Sequence, residues 1–250
     1  MREKQVQIIN IILHSLVVIL GLIAVIMQFF IKQEGNAVST SGWHIFRFFT
    51  NDGNIFCMVV SLINVIYLSY SLIHKKCGIP KWLYLLNLMS AVSGLLIFFT
   101  VLFVLFPFYG SILFVGYLMI VLHCLNPILV SISFLFTMHY DCKKYEGAFG
   151  MVPMAIYGIP ILILIFAKVL KGDLIPYPFL RVYDNPWWIT LLMIIGMFGG
   201  CALAGILLVS ITKKTNIIDV NKKKLMITGI SLGAILLAIF ILVLVFNLTY

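Results

Sequence analysis

Seven stretches of the chain, at about residues 6–31, 46–72, 82–106, 111–138, 149–170, 187–211 and 225–247, are apolar over the length a helix needs to cross a hydrocarbon core. That length is roughly 20 residues. Within lipid, every backbone N–H and C=O must find its partner inside the segment, so stretches of this kind are helices. The feature predicts an all-α integral membrane protein, a bundle of about seven transmembrane helices. Composition agrees, because a chain that is 63% hydrophobic and 10% charged cannot keep a soluble surface wet. The connections are short, so residues 1–250 read as a single transmembrane helical domain. Pro153 and Pro160 predict a kink in the fifth helix. The first apolar run is too long for the core of a secretory signal and lacks a small-residue cleavage site.

The basic residues orient the bundle. Arg2, Lys4, Lys75, Lys76, Lys81, Lys143, Lys144, Lys213, Lys214 and Lys222 to Lys224 fall on one side of the alternating helices. Lys32, Arg47, Lys168, Lys171 and Arg181 fall on the other. Cytoplasmic loops carry the basic excess, so the N-terminus is predicted inside and the C-terminus outside, in a multi-pass protein of the cell membrane. The net charge of +9 is then a topology signal with an attraction for anionic lipid, and no nucleic-acid footprint is inferred. The five cysteines lack metal-ligand spacing and none falls in an outer segment; neither a disulfide, a metal nor a cofactor is expected.

Polar residues inside the spans carry the functional reading, because a polar group at membrane depth faces the bundle interior or water. Thr50, Asn54, Cys57, Ser61 and Asn64 recur at helical spacing on one face of the second helix. Cys57, Ser61 and Asn64 read as helix packing, and so does His14 in the first helix. Arg47, Asn51 and Asp52 read as a wet outer rim. In the fourth helix, LHCLNPIL (residues 122–129) puts His123 and Asn126 side by side, and Pro127 frees the His123 carbonyl. A neutral His123 donates from one ring nitrogen and accepts at the other, as a bridge between two helices would. Counted from residue 111, His123 lies about 18 Å below the outer end of its helix. Thr50 reaches that depth only if the second helix begins near Trp43 or the site is a funnel. Gly196 and Gly200 form a small-xxx-small pair, predicting a close-packing face on the sixth helix. The longest outer connection, KGDLIPYPFLRVYDNP at about 171–186, holds three prolines and paired aromatics and is expected to cap the bundle as an interfacial or re-entrant segment.

Three of these segments together resemble a known group. FRFFTNDGN, LHCLNPIL and LIPYPFLRV are similar, in order and spacing, to the F-x-x-F-T…N, His-x-x-x-Pro and Tyr-Pro-Tyr-Pro-Phe stretches of the prokaryotic six-transmembrane family. The resemblance covers about residues 6 to 211, leaving 225–247 as an extra C-terminal helix. The same landmarks are more loosely similar to the animal androgen-induced membrane proteins, which are intramembrane threonine hydrolases of hydroxy fatty acid esters. The resemblance implies an intramembrane hydrolase of lipid or fatty-acid esters, with Thr50 as nucleophile and His123 as general base. A threonine hydroxyl is a weak nucleophile until a base takes its proton, and imidazole suits that task. Asn54 and Asn126 are then candidates for oxyanion support, and Tyr177 and Phe179 for an outer lid. The partners implied are membrane lipids, including a fatty-acyl ester substrate.

The chain departs from the family pattern at Asn51, Asp52 and Gly53, and at Arg181. Asp52 and Arg181 either pair across the outer mouth or stand as separate solvated charges. Two other functions fit the same polar stripes: a non-catalytic transporter or channel, and a lipid-binding scaffold with a polar packing core. A transporter would show an intramembrane charge pair or an inverted repeat, and neither is evident.

Overall fold

The computed structural model describes residues 3–31, 41–76, 78–110, 117–137 and 140–214. Within them lie six helices long and apolar enough to cross a membrane: α1 (Glu3–Phe30), α2 (Phe49–Ile73), α3 (Lys81–Leu105), α4 (Leu118–Leu135), α5 (Lys144–Phe166) and α6 (Trp187–Lys213). The described residues contain no strand. The described residues are all-helical, and their six apolar spans make the chain a multi-pass membrane protein. The seventh stretch, 225–247, lies outside the described residues.

The helices follow from an inverted pattern of polarity. On α1, the buried stripe is Gln7, Asn10, His14, Val17, Gly21, Ala24 and Gln28, recurring every three or four residues. The exposed stripe is Ile8, Ile12, Leu16, Ile19, Ile23, Ile26 and Phe30. Polar side chains face inward and apolar ones outward, as expected where hydrocarbon is the solvent. The most enclosed helices are α3 and α4. Helix α3 packs against α2, α4, α5 and α6, and α1 packs against α2 and α4.

The interior is cross-linked by amides and hydroxyls. Asn64 and Asn87 exchange reciprocal hydrogen bonds of 2.6 and 2.9 Å between α2 and α3. His14 Nδ1 meets Ser61 Oγ at 3.1 Å, Tyr84 and Thr212 hydroxyls meet at 2.9 Å, and the Cys57 thiol donates to the Ser90 carbonyl at 3.4 Å. These contacts agree with the packing roles read for His14, Cys57, Ser61 and Asn64. A measurable consequence follows for the Asn64–Asn87 pair. Asn64→Leu alone should destabilise by about 2 kcal/mol, because Asn87 is left buried and unpaired, and Asn64→Leu/Asn87→Leu should recover part of that loss. Thermal unfolding in detergent checks it.

Two helices carry π-helical stretches, Thr100–Leu105 in α3 and Val121–Leu125 in α4. Each is followed by a proline, Pro107 or Pro127, and the physical cause is shared. Proline has no N–H to give the carbonyl four residues back and its ring crowds that carbonyl. The ladder widens by one residue just before it: Phe106 N–H bonds to the Val101 carbonyl and Asn126 N–H to the Val121 carbonyl. In α5, Pro153 stands in the first α-helical turn, after a 3₁₀ stretch over Lys144–Met151, where its missing N–H costs nothing; Pro160 lies inside the helix.

Three expectations are corrected. Helix α2 does not begin at residue 46 or near Trp43: Gly42–Arg47 is a 3₁₀ turn, and extended Phe48 separates it from α2. The Gly196–Gly200 pair is not a close-packing face within the described bundle, since a Cβ at Gly196, Gly199 or Gly200 would meet nothing within 4 Å. The close approach is made by Gly205 and Gly147 instead. A Cβ on Gly205 would stand 2.0 Å from the Gly147 carbonyl oxygen, and one on Gly147 would stand 2.5 Å from Ile206 Cα. Finally, Arg181 pairs with Asp173, Nη2 to Oδ1 at 3.0 Å, and not with Asp52. Asp173 belongs to the same connection as Arg181, so the pair closes without crossing the outer mouth.

Lys76, Lys81, Lys143 and Lys213 gather at one end of the bundle. There Lys81 pairs with Glu146, whose second oxygen accepts the Lys143 N–H at 2.6 Å, and Lys213 lies 3.4 Å from Asp141. Gln7 of α1 donates to the Lys76 carbonyl at the same end, at 3.1 Å.

Candidate functional site

At the opposite end, a cavity of about 40 Å³ opens among α1, α2, α3, α4 and the connection between α5 and α6. Thr50 and His123 both line it, with Gln28, Asn51 and Tyr177 among the other wall residues. Thr50 and His123 are 9% and 7% exposed. The hydroxyl-bearing residue of the second span and the imidazole of the fourth therefore share one sheltered space.

Asn54 sets their relative height. Its Nδ2 donates to the Thr50 carbonyl at 2.6 Å and to the Leu122 carbonyl at 2.9 Å, tying the residue that precedes His123 to Thr50 itself. Asn126 Nδ2 donates to Asn54 Oδ1 at 3.3 Å and extends the brace along α4. Both N–H bonds of Asn54 are thus spent on carbonyls. An amide with no free hydrogen cannot donate to an oxyanion, so Asn54 is a positioning residue and its reading as an oxyanion donor is not carried forward. Neither Asn54 nor Asn126 lines the cavity.

His123 sits in the middle of the Val121–Leu125 π-stretch. The extra residue there changes which side chains of α4 turn toward α2. Such single π-turns recur at functional sites.

The roof is the segment the prolines keep from being helical. It forms two short 3₁₀ turns, Gly172–Leu174 and Pro178–Leu180, and buries Ile175, Tyr177, Phe179 and Leu180. Phe179 stacks on Tyr177 with ring centroids 5.2 Å apart, and Phe48 meets Tyr177 edge-on at 5.9 Å. The segment is fastened by Arg47 Nη1 to the Asp173 and Leu174 carbonyls at 3.5 and 3.4 Å, and by Asn185 Nδ2 to the Pro178 carbonyl at 2.8 Å. The Tyr177 phenol interacts with the Thr50 side chain and with the backbone N–H groups of Phe49 and Thr50. Those N–H groups are the unsatisfied donors at the start of α2, where Phe48 offers no side-chain cap. Tyr177 thus lies over the first turn of α2 from the roof. Burial pushes its phenol up to about 12, so it holds its proton at neutral pH. Tyr157 of α5 continues the polar edge, donating to the Arg47 carbonyl at 2.5 Å.

The rim of the cavity is less wet than its sequence implies. Asn51 is 2% exposed and donates from Nδ2 to the Ile45 carbonyl at 2.9 Å. The 3₁₀ turn folds back over the start of α2 and buries it. Asp52 is half-buried in the first turn of α2, where a negative charge complements the helix dipole. Three site residues escaped sequence reasoning: Gln28, Asn51 as a wall residue, and Tyr157. A lone glutamine at the end of an apolar run and a tyrosine between Ile156 and Gly158 carry no local signal. Only the register of α1 and α5 against α2 brings them in.

Comparison with protein families, with curated proteins and with solved structures finds no match for this chain.

Proposed function

We propose that the chain is an intramembrane hydrolase of lipid or fatty-acid esters, akin to the prokaryotic six-transmembrane family, with Thr50 as nucleophile and His123 as general base. The observation that carries this reading is the placement of both residues in the wall of one buried cavity roofed by Tyr177. His123 takes the Thr50 hydroxyl proton as Oγ bonds to the ester carbonyl carbon. The tetrahedral intermediate collapses, the carbon–oxygen bond to the alcohol breaks, and the alcohol leaves with the proton from His123. Water, deprotonated by His123, then cleaves the acyl-threonine and frees the acid. Tyr177, protonated and facing Thr50, supplies the hydrogen bond that the oxyanion needs. Small apolar voids continue from Thr50 past Ile97 and Val101, and from Tyr177 past Leu162 and Phe198. They mark the directions in which an acyl chain would leave the reacting centre.

The basic end is read as cytoplasmic, which puts the cavity toward the outer face of the cell membrane and makes 225–247 a seventh, outward-running span. An activated phosphonate probe tests the chemistry. Purified protein in detergent should be labelled covalently, and peptide mapping should find the adduct on Thr50. Absence of any adduct across neutral to alkaline pH would leave a lipid-binding protein without turnover.

A further inference from the structure

The cavity holds two side chains that the ester chemistry does not use. Gln28, near the end of α1, and Asn51, in the first turn of α2, both line it and are 5% and 2% exposed. Each presents a buried carbonyl oxygen with no hydrogen-bond partner among the described residues, Gln28 Oε1 and Asn51 Oδ1. The orientation of Asn51 is fixed, because its Nδ2 is held by the Ile45 carbonyl. Buried polar atoms are almost always satisfied, and leaving one bare is costly. Two bare acceptors in the wall of one cavity call for a ligand that donates.

The rest of the wall narrows the class. Among the described residues it contains no lysine, arginine, aspartate or glutamate. A cationic or anionic headgroup would be buried there without a counter-charge, and two carbonyl oxygens would repel a carboxylate. Leu105, Met119, Leu122 and Pro176 make the remaining surface apolar. About 40 Å³ has room for two or three waters or a fragment of that size, such as a hydroxymethyl group.

We infer that this cavity selects the neutral, hydroxyl-bearing headgroup of a polyol ester, a monoacylglycerol in class, with Gln28 and Asn51 accepting hydrogen bonds from its free hydroxyls. This rests on the reading of Thr50 and His123 as the reacting pair, since it makes the polyol the alcohol that leaves. It also makes Gln28 and Asn51 specificity-determining residues.

The test is binding by the full chain in detergent, using ligands without an ester. 1-O-Hexadecylglycerol carries both hydroxyls, hexadecyl propyl ether lacks them at nearly the same shape, and palmitate carries a carboxylate. Hexadecylglycerol should bind at least about tenfold more tightly than either of the others, the loss expected when a buried acceptor goes unpaired. Gln28→Met should bring it close to the propyl ether. Equal affinity for the three ligands, or preference for palmitate, overturns the inference however the variant behaves. Because these ligands cannot be hydrolysed, the two readings fail separately. Selective binding with no phosphonate adduct removes the hydrolase and keeps the headgroup site, and an adduct without selectivity does the reverse.

Discussion

Thr50→Ala is expected to lower ester hydrolysis and phosphonate labelling by at least about 10³-fold, and His123→Ala by a similar factor. The double variant should be no worse than the poorer single one, because a nucleophile and the base that activates it act as a unit. This non-additivity separates catalysis from packing. If both residues merely held α2 to α4, the two losses would accumulate in stability and leave little trace in a rate normalised to folded protein. Asn54→Leu supplies the contrast. It removes the brace between the Thr50 and Leu122 carbonyls, so it should lower both thermal stability and labelling rate without taking away either reacting group. Circular dichroism on each purified variant provides the normalisation. A Thr50→Ala protein that hydrolyses as fast as the parent would end the proposal.

The largest effect on stability is expected at Gly205. Gly205→Ala would drive a methyl group to 2.0 Å from the Gly147 carbonyl oxygen, a backbone atom that cannot swing aside. Helix α6 would have to move away from the 3₁₀ start of α5, at a cost of about 3 kcal/mol or more. Gly147→Ala meets the backbone of Ile206 and should behave alike. Gly196→Ala and Gly200→Ala meet no described atom and should change stability by no more than about 0.5 kcal/mol. Thermal unfolding of the four variants in one detergent decides the matter. The order expected from the small-xxx-small spacing alone is the reverse.

That reversal shows where the sequence is legible and where it stops. The spans are readable because lipid imposes one rule on every residue of a segment, and length and hydropathy capture it. Six of the seven stretches correspond to helices among the described residues. Which face of α6 touches a neighbour is decided by the position of Gly147, more than fifty residues away in sequence, and no periodicity on α6 contains that information. The start of α2 was obscured for a related reason. IFRFF is as apolar as the helix it precedes, so hydropathy passes smoothly across a change of backbone. Thr50 and His123 were legible as residue types at suggestive positions. Their common level was not, because it depends on one amide, Asn54, spanning two carbonyls on different helices. Asn51 was misread by association with Asp52, its charged neighbour. Of the two readings of Asp52 and Arg181, the pair is excluded because a nearer acid, Asp173, lies within the same loop as Arg181.

The widened turn in α4 has a consequence for how this chain tolerates change. Val121–Leu125 contains one residue more than an α-helical course between the same endpoints would need. Everything C-terminal to it is therefore rotated by about 100° relative to an unbroken helix. Deleting a single residue such as Leu125 would not shorten the span enough to expose its ends. It would let the helix revert to an ordinary winding and carry the imidazole of His123 off the cavity wall while Pro127 and the lower half of the helix stay packed. The position of the imidazole is thus a matter of parity: one amino acid more or fewer decides whether it shares the cavity wall with Thr50 at all.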